Sequence, residues 1–211
     1  MSIMCKTLKD FKRLLKKRFA REEEKKDIST TEAAIRYAFF YSLATKGNYR
    51  LEDMTLEEQF TCPEFKKNRD RLDLHVLSRS KECNLIFEFK YHNEKKTSRT
   101  DSAAAILWDF VRLRVEIGER RRTKAYFVYV FDSATRNYLN KRSRTLFERI
   151  FSPSGNLVRV DMIELRKISE KLKTFKSYLE GRSVKSFCVK KIIPCERISQ
   201  LRFLFMCEIR K

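Results

Sequence analysis

The sequence predicts a mixed α/β fold of the α+β kind, with a central mixed β-sheet flanked by α-helices and a β-hairpin added near the C-terminal end. Three patterns predict it. Residues 71–77 and 84–91 each alternate apolar and polar side chains, the period-2 signature of strands. Residues 124–131 (Lys-Ala-Tyr-Phe-Val-Tyr-Val-Phe) form a nearly unbroken apolar, β-rich run, as expected of a strand covered on both faces. Between and around these lie segments with helical spacing of apolar residues.

Taken in order, residues 3–26 predict a basic amphipathic helix. Leu8, Phe11, Leu14, Leu15 and Phe19 recur at helical spacing among Lys9, Lys12, Arg13, Lys16, Lys17 and Arg18. Its charged face either lies in solvent or touches phosphates. Thr31 and its neighbours offer an N-cap for a second helix from Glu32 to about Thr45, closed by Gly47. Residues 51–60 read as a short helix, with Asp53, Glu57 and Glu58 facing solvent. After the strand pair comes a basic loop, then a helix capped at Asp101–Ser102 that runs from Ala103 to Glu119. The buried strand 124–131 follows. A basic helix starts at Asp132–Ser133 and continues to Ile150, then a strand over 157–163 and a helix over 165–179. Residues 184–193 and 201–209 form the terminal hairpin, turning at Pro194-Cys195-Glu196.

The chemistry concentrates in the paired strands. In the first, Leu72, Leu74 and Val76 share one face, and Asp73, His75 and Leu77 the other. In the second, Leu85, Phe87, Phe89 and Tyr91 oppose Ile86, Glu88 and Lys90. The link 78–83 is short enough for a hairpin, so antiparallel pairing brings Asp73 close to Glu88, with Lys90 two residues along the same face. Charges at the end of so apolar a strand cost several kcal/mol unless they are paired or bind metal. The plainer alternative is a solvated polar face on an amphipathic hairpin.

An aspartate in one strand, followed about fifteen residues later by Glu-x-Lys closing the next, resembles the PD-(D/E)xK nuclease superfamily with its restriction-endonuclease-like core. Here the elements read Leu72-Asp73 and Glu88-Phe89-Lys90, with Leu72 in place of the family's proline. The resemblance spans roughly residues 29–140. It implies that Asp73 and Glu88 hold Mg²⁺ or Mn²⁺, with the backbone carbonyl of Phe89 as a further ligand. Lys90 then orients or deprotonates a water. Glu32, opening the second helix, is the candidate for a further metal-shell carboxylate; its alternative role is an i,i+4 pair with Arg36. Lys66, Lys67, Arg69, Arg71, Lys95, Lys96 and Arg99 flank the motif and are candidates for gripping a nucleic-acid backbone. His75 either assists at the site or is a bystander on its face. Asp109 and Arg112 are spaced to pair along their helix.

Composition narrows the partners. The 211 residues suit one domain: a basic N-terminal helix over 1–27, a nuclease-like core over 28–170, and an extension over 171–211. A formal net charge of +20, with a pI near 9.9, favours a polyanion, nucleic acid first and acidic membranes second; with the nuclease resemblance, DNA is expected before RNA. Six cysteines without a Cys-x-x-Cys pair, and only two histidines, argue against a zinc finger and for thiols in a reduced intracellular compartment, cytoplasmic or nuclear. No apolar run is long enough to span a bilayer, and no secretory leader is expected. Four glycines leave little room for a phosphate-binding Gly-rich loop. The expected activity is metal-dependent hydrolysis of phosphodiesters, as a DNA endonuclease. The alternatives are a catalytically inactive nucleic-acid-binding protein or complex subunit on the same fold, and a viral-type RNA endonuclease. A homodimer or a larger complex is left open.

Overall fold

The computed structural model describes residues 3–25, 29–47, 49–62, 71–77, 83–92, 99–142, 146–171, 175–176, 179 and 186–211. Helix α1 (Ile3–Glu24) and helix α2 (Glu32–Lys46) come first. They are followed by β1 (Met54–Gln59), β2 (Arg71–Val76) and β3 (Asn84–His92). Helix α3 (Arg99–Glu119) leads to β4 (Thr123–Asp132), then α4 (Ser133–Arg142) and α5 (Leu146–Phe151). The rest is β5 (Leu157–Val160), α6 (Met162–Lys171), β6 (Phe187–Arg197) and β7 (Arg202–Arg210).

The described strands make one mixed sheet in the order β1-β2-β3-β4-β7-β6-β5. β3 and β4 run parallel, joined over α3, because a parallel pair needs a long crossover. The other neighbours are antiparallel. Helices cover both faces. Phe11, Leu15 and Phe19 of α1 and Ile35, Phe39 and Leu43 of α2 pack on Leu85, Phe87, Phe89, Val128 and Val130. Phe39 is the pivot, with ring centroids 5.0 Å from Phe11, 4.8 Å from Phe87 and 5.5 Å from Phe89. On the opposite face α3 to α6 cover Ile86, Ala125, Phe127, Tyr129 and Phe131. Strand β4 is thus buried on both sides, as its apolar run predicts. Trp108 belongs to the core. Among the described residues, no helix is long and apolar enough to cross a membrane.

Several boundaries differ from the sequence reading. Residues 51–60 are not a helix: a single 3₁₀ turn (Leu51–Asp53) runs into the edge strand β1. Met54 is buried in the core and Leu56 packs against it, whereas Glu57 and Glu58, just beyond, bind Arg36 and Arg120. Helix α3 begins at Arg99, so Asp101 lies inside its first turn and does not cap it. The basic helix from Ser133 is two helices, α4 capped by Asp132 (Thr135 N–H to Oδ1, 2.7 Å) and α5. Strand β5 stops at Val160 because Asp161 caps α6, accepting the Glu164 N–H at 2.7 Å. Pro194 sits within β6, not at the turn, which falls at residues 198–201. β5 reaches only as far as Lys190, so Pro194 lies where β6 has a free outer edge and a shifted register, and its missing N–H costs no ladder bond. Gly47 closes α2 with φ −85°, an ordinary value. What demands glycine there is space: a Cβ would stand 2.5 Å from the Leu43 carbonyl oxygen.

Candidate active site

The site forms where β2 and β3 part. Their ladder pairs Val76 with Leu85, His75 with Ile86 and Leu74 with Phe87, and then stops. The next positions in that register are Asp73 and Glu88, the two acids expected to meet. Beyond this point the Asp73 side chain takes over from the backbone: its Oδ2 accepts the Phe89 N–H at 2.7 Å. The parting also separates Leu72 from Leu74 and Val76. Leu72 packs in the α3-side core, the other two in the α1–α2 core, so the expectation of one shared face fails at this splay.

Four buried or half-buried carboxylates, Asp73, Glu88, Glu32 and Asp109, lie near three cations here, with the exposed Glu57 at the edge. Arg36 of α2 donates to Asp73 Oδ1 at 2.8 Å and to Glu57 at 3.1 Å. Glu32, one turn earlier, accepts the Tyr91 N–H at 3.1 Å. Arg36 thus turns to the strands and not to Glu32, replacing the helix pair offered as Glu32's alternative role. From the other face, α3 supplies Asp109 and Arg112, which pair at 2.5 Å. Arg112 also reaches Glu88 at 3.5 Å, and Lys90 Nζ stands 3.3 Å from Asp109 Oδ2. Glu88 is only 4% exposed.

The electrostatics show a cluster short of positive charge. Burial pushes the Glu88 carboxyl well above the usual carboxylate range; Arg112 opposes this, and the Asp73 and Asp109 carboxylates and a hydrogen bond with Asp73 add to it. Burial likewise raises Glu32, with Lys90 pulling it back and Asp73 adding to the rise. Lys90 responds in the opposite sense. The Asp109 carboxylate, helped by Glu32 and Glu88, raises it above the ordinary ammonium range despite its burial. Lys90 is therefore a fixed cation in this arrangement.

The converging acids offer carboxylate oxygens, the donors a hard divalent ion prefers, with no thiolate or imidazole among them. Asp109 Oδ2 is buried and faces the Lys90 ammonium at 3.3 Å, while its Oδ1 is held by Arg112. Among the described residues, no three His, Cys, Asp or Glu side chains stand close enough to share one ion. Arg36 holds one Asp73 oxygen while the Phe89 N–H holds the other, and Arg112 bridges Glu88 and Asp109. The acids are of the kind a hard divalent ion takes, but here they are bound to the chain's own cations and not gathered on one ion.

A second polar knot adjoins the first. Glu58 contacts His75 Nδ1 and lies 2.8 Å from Arg120, which also pairs with Glu116 at 2.5 Å. Fully buried Glu116 accepts the Thr61 N–H at 2.8 Å, tying the end of β1 to α3. Glu58 is thus a half-buried partner of His75 and Arg120, not a solvent-facing acid, whereas Glu57 pairs with Arg36 but stays exposed, as expected. His75 shares the Asp73 face but is committed to Glu58.

Of the expected backbone-gripping residues, Arg71 is exposed, 3.9 Å from Glu57. Lys66, Lys67, Arg69, Lys95 and Lys96 lie outside the described residues, and Arg99 is described only as the first residue of α3. The sequence reading missed Arg36 as a partner of Asp73, and Asp109 and Arg112 as members of the site. The available signal was an Asp-x-x-Arg interrupting the otherwise apolar run from Ile106 to Leu113. Comparison with family models, with curated proteins and with solved structures gives no match to this chain.

Proposed function

We propose that this protein is a metal-dependent nuclease of the PD-(D/E)xK type, hydrolysing nucleic-acid phosphodiesters, DNA foremost, with Mg²⁺ or Mn²⁺. The observation that carries this reading is the meeting of Asp73, Glu88, Glu32 and Asp109 around Lys90 at the parting of β2 and β3. The mixed sheet with helices on both faces is compatible with a restriction-endonuclease-like core. Six free cysteines and a charge of +20 suit an intracellular protein that works on a polyanion.

Asp73, Glu88 and the Phe89 carbonyl would hold the ion, with Glu32 at its margin. A bound divalent ion supplies neutralisation of the phosphate charge and a lowered pKa for water. Asp73 is aimed by Arg36 and the Phe89 N–H, which fix both of its oxygens. Lys90, held as an ammonium by Asp109, donates hydrogen bonds. It orients the attacking water or steadies the negative charge that grows on the phosphate oxygens, rather than removing a proton. Arg112 keeps Asp109 turned toward Lys90 and balances Glu88.

The engagement of Asp73 and Glu88 by Arg36 and Arg112 favours one second reading, an inactive nucleic-acid-binding subunit on the same fold. One experiment separates them. Purified protein is incubated with supercoiled plasmid and Mg²⁺ or Mn²⁺, alongside Asp73→Ala and Lys90→Ala. Nicking that requires the metal and disappears in both variants supports the nuclease. Binding without nicking supports the inactive subunit, and nicking that survives both changes rejects this site. A matched RNA substrate reports DNA against RNA.

A further inference from the structure

We infer that the chain grips a second stretch of nucleic-acid backbone in a basic groove at the opposite end of β3 and β4 from the acid cluster. The groove, of about 700 Å³, is formed by the end of α3, the turn at residues 120–122, the start of β4 and the end of β7. Six of its lining side chains are basic: Arg120, Arg121, Arg122, Lys124, Arg210 and Lys211. Its acid, Glu208, is buried and held by Arg210 at 2.8 Å. Arg120 is spent inward on Glu58 and Glu116. Arg121, Arg122, Lys124 and Lys211 are exposed, and among the described residues no ion pair engages Arg121, Lys124 or Lys211.

A second, independent feature marks the same turn. Arg122 has φ +51°, in the left-handed region that glycine or asparagine adopts more readily. Backbone preference argues against arginine there, so its side chain has some use. Repeating phosphates supply the charge such a groove lacks. An anionic membrane would also attract cations, but interfacial binding needs apolar anchors beside them. The apolar side chains lining the groove, Ile117 and Ile209, are buried, and among the described residues no exposed large hydrophobic lines it.

The strand register gives the spacing. Asn84 pairs with Thr123 at the groove, and Lys90 with Tyr129 at the acid cluster. Those six steps, at about 3.3 Å each, put the two sites roughly 20 Å apart. A duplex rises about 3.4 Å per base pair, so a substrate touching both must extend about six base pairs from the bond that is cut. This inference rests on the nucleic-acid reading of the acid cluster but not on catalysis.

The test is fluorescence anisotropy with labelled duplex and single-stranded oligonucleotides, in EDTA, in a Glu88→Gln background that leaves the substrate intact. Arg121→Gln combined with Arg122→Gly removes two charges, and glycine suits the positive φ, so an unchanged melting temperature is expected. Affinity for duplex should fall about tenfold, and the slope of log K against log salt should become shallower by about 2, near 0.9 for each phosphate that is no longer neutralised. Lys124→Gln should act in the same direction. Affinity and slope unchanged within twofold overturn the inference, as does binding to phosphatidylserine vesicles with none to oligonucleotides. A groove variant that binds normally, in a protein that nicks plasmid, rejects the groove and keeps the nuclease. Lost binding in a protein that never nicks keeps the groove and rejects the nuclease.

Discussion

Replacing Arg36 by glutamine tests how the acid cluster is held together in the absence of metal. Arg36 makes two ion pairs, but they are unequal. Glu57 is 52% exposed, and a pair with so exposed a partner contributes little. Asp73 is 16% exposed, and its pair with Arg36 at 2.8 Å is a charge-assisted hydrogen bond, contributing about 1.5–3 kcal/mol. Losing it leaves Asp73 with the Phe89 N–H and the Glu88 carboxyl, without a cation. The expected destabilisation is about 2 kcal/mol, which for a chain of this size lowers the melting temperature by about 4–8 °C. Any ion that needs Asp73 competes with Arg36, so Mn²⁺ should raise the melting temperature more in the variant than in the parent protein. Circular dichroism melts with and without Mn²⁺ measure both effects. An unchanged melting temperature in Arg36→Gln would show that Arg36 does not support Asp73. A melting temperature unmoved by Mn²⁺ in both proteins would refute the competition.

Two further outcomes follow from buried groups nearby. Burial foremost, then the Lys90 charge, lowers His92 from 6.5 to about 4, and its Nδ1 lies 2.7 Å from the Tyr129 hydroxyl. Above pH 6.5 the ring is neutral in both folded and unfolded chains; below it only the unfolded chain takes up the proton. Stability present at neutral pH is therefore lost as pH falls from about 6.5 to 4, by about 3 kcal/mol in all. His92→Gln should melt with a weaker acid dependence over that window, and parallel pH curves for the two proteins would contradict this. Glu116→Ala removes a fully buried carboxylate that holds Arg120 and the Thr61 N–H. It should cost about 3 kcal/mol in denaturant unfolding, because a charge and a backbone donor lose their partner together; a loss under about 1 kcal/mol would mean that this knot is unimportant.

Strands β2, β3 and β4 were legible because alternation and an unbroken apolar run depend only on local burial. The juxtaposition of Asp73 and Glu88 followed from the same periodicity, since a short hairpin fixes register. Strand β1 was not legible: Glu57, Glu58 and Gln59 resemble an exposed helix until their partners Arg36, His75 and Arg120 are known. Glu57 also has φ +56°, and the position opposite Asp73 drops out of the β1–β2 ladder although the register is unshifted. Pro194 looked like a turn residue because a sequence does not reveal that the neighbouring strand stops short of it. Arg36, Asp109 and Arg112 were read as partners along their own helices, since i,i+3 and i,i+4 spacing is visible in sequence and a contact across the sheet is not. The site residues hardest to find were those whose role depends on where β2 leaves β3.

A crystal soaked in Mn²⁺ and measured for anomalous scattering tests the cation cradle most directly. The expected peak touches the Asp73 and Glu88 carboxylates, with Arg36 or Arg112 displaced from them. Density for Mn²⁺ only at other surfaces, with both arginines still seated on those acids, would contradict the cradle.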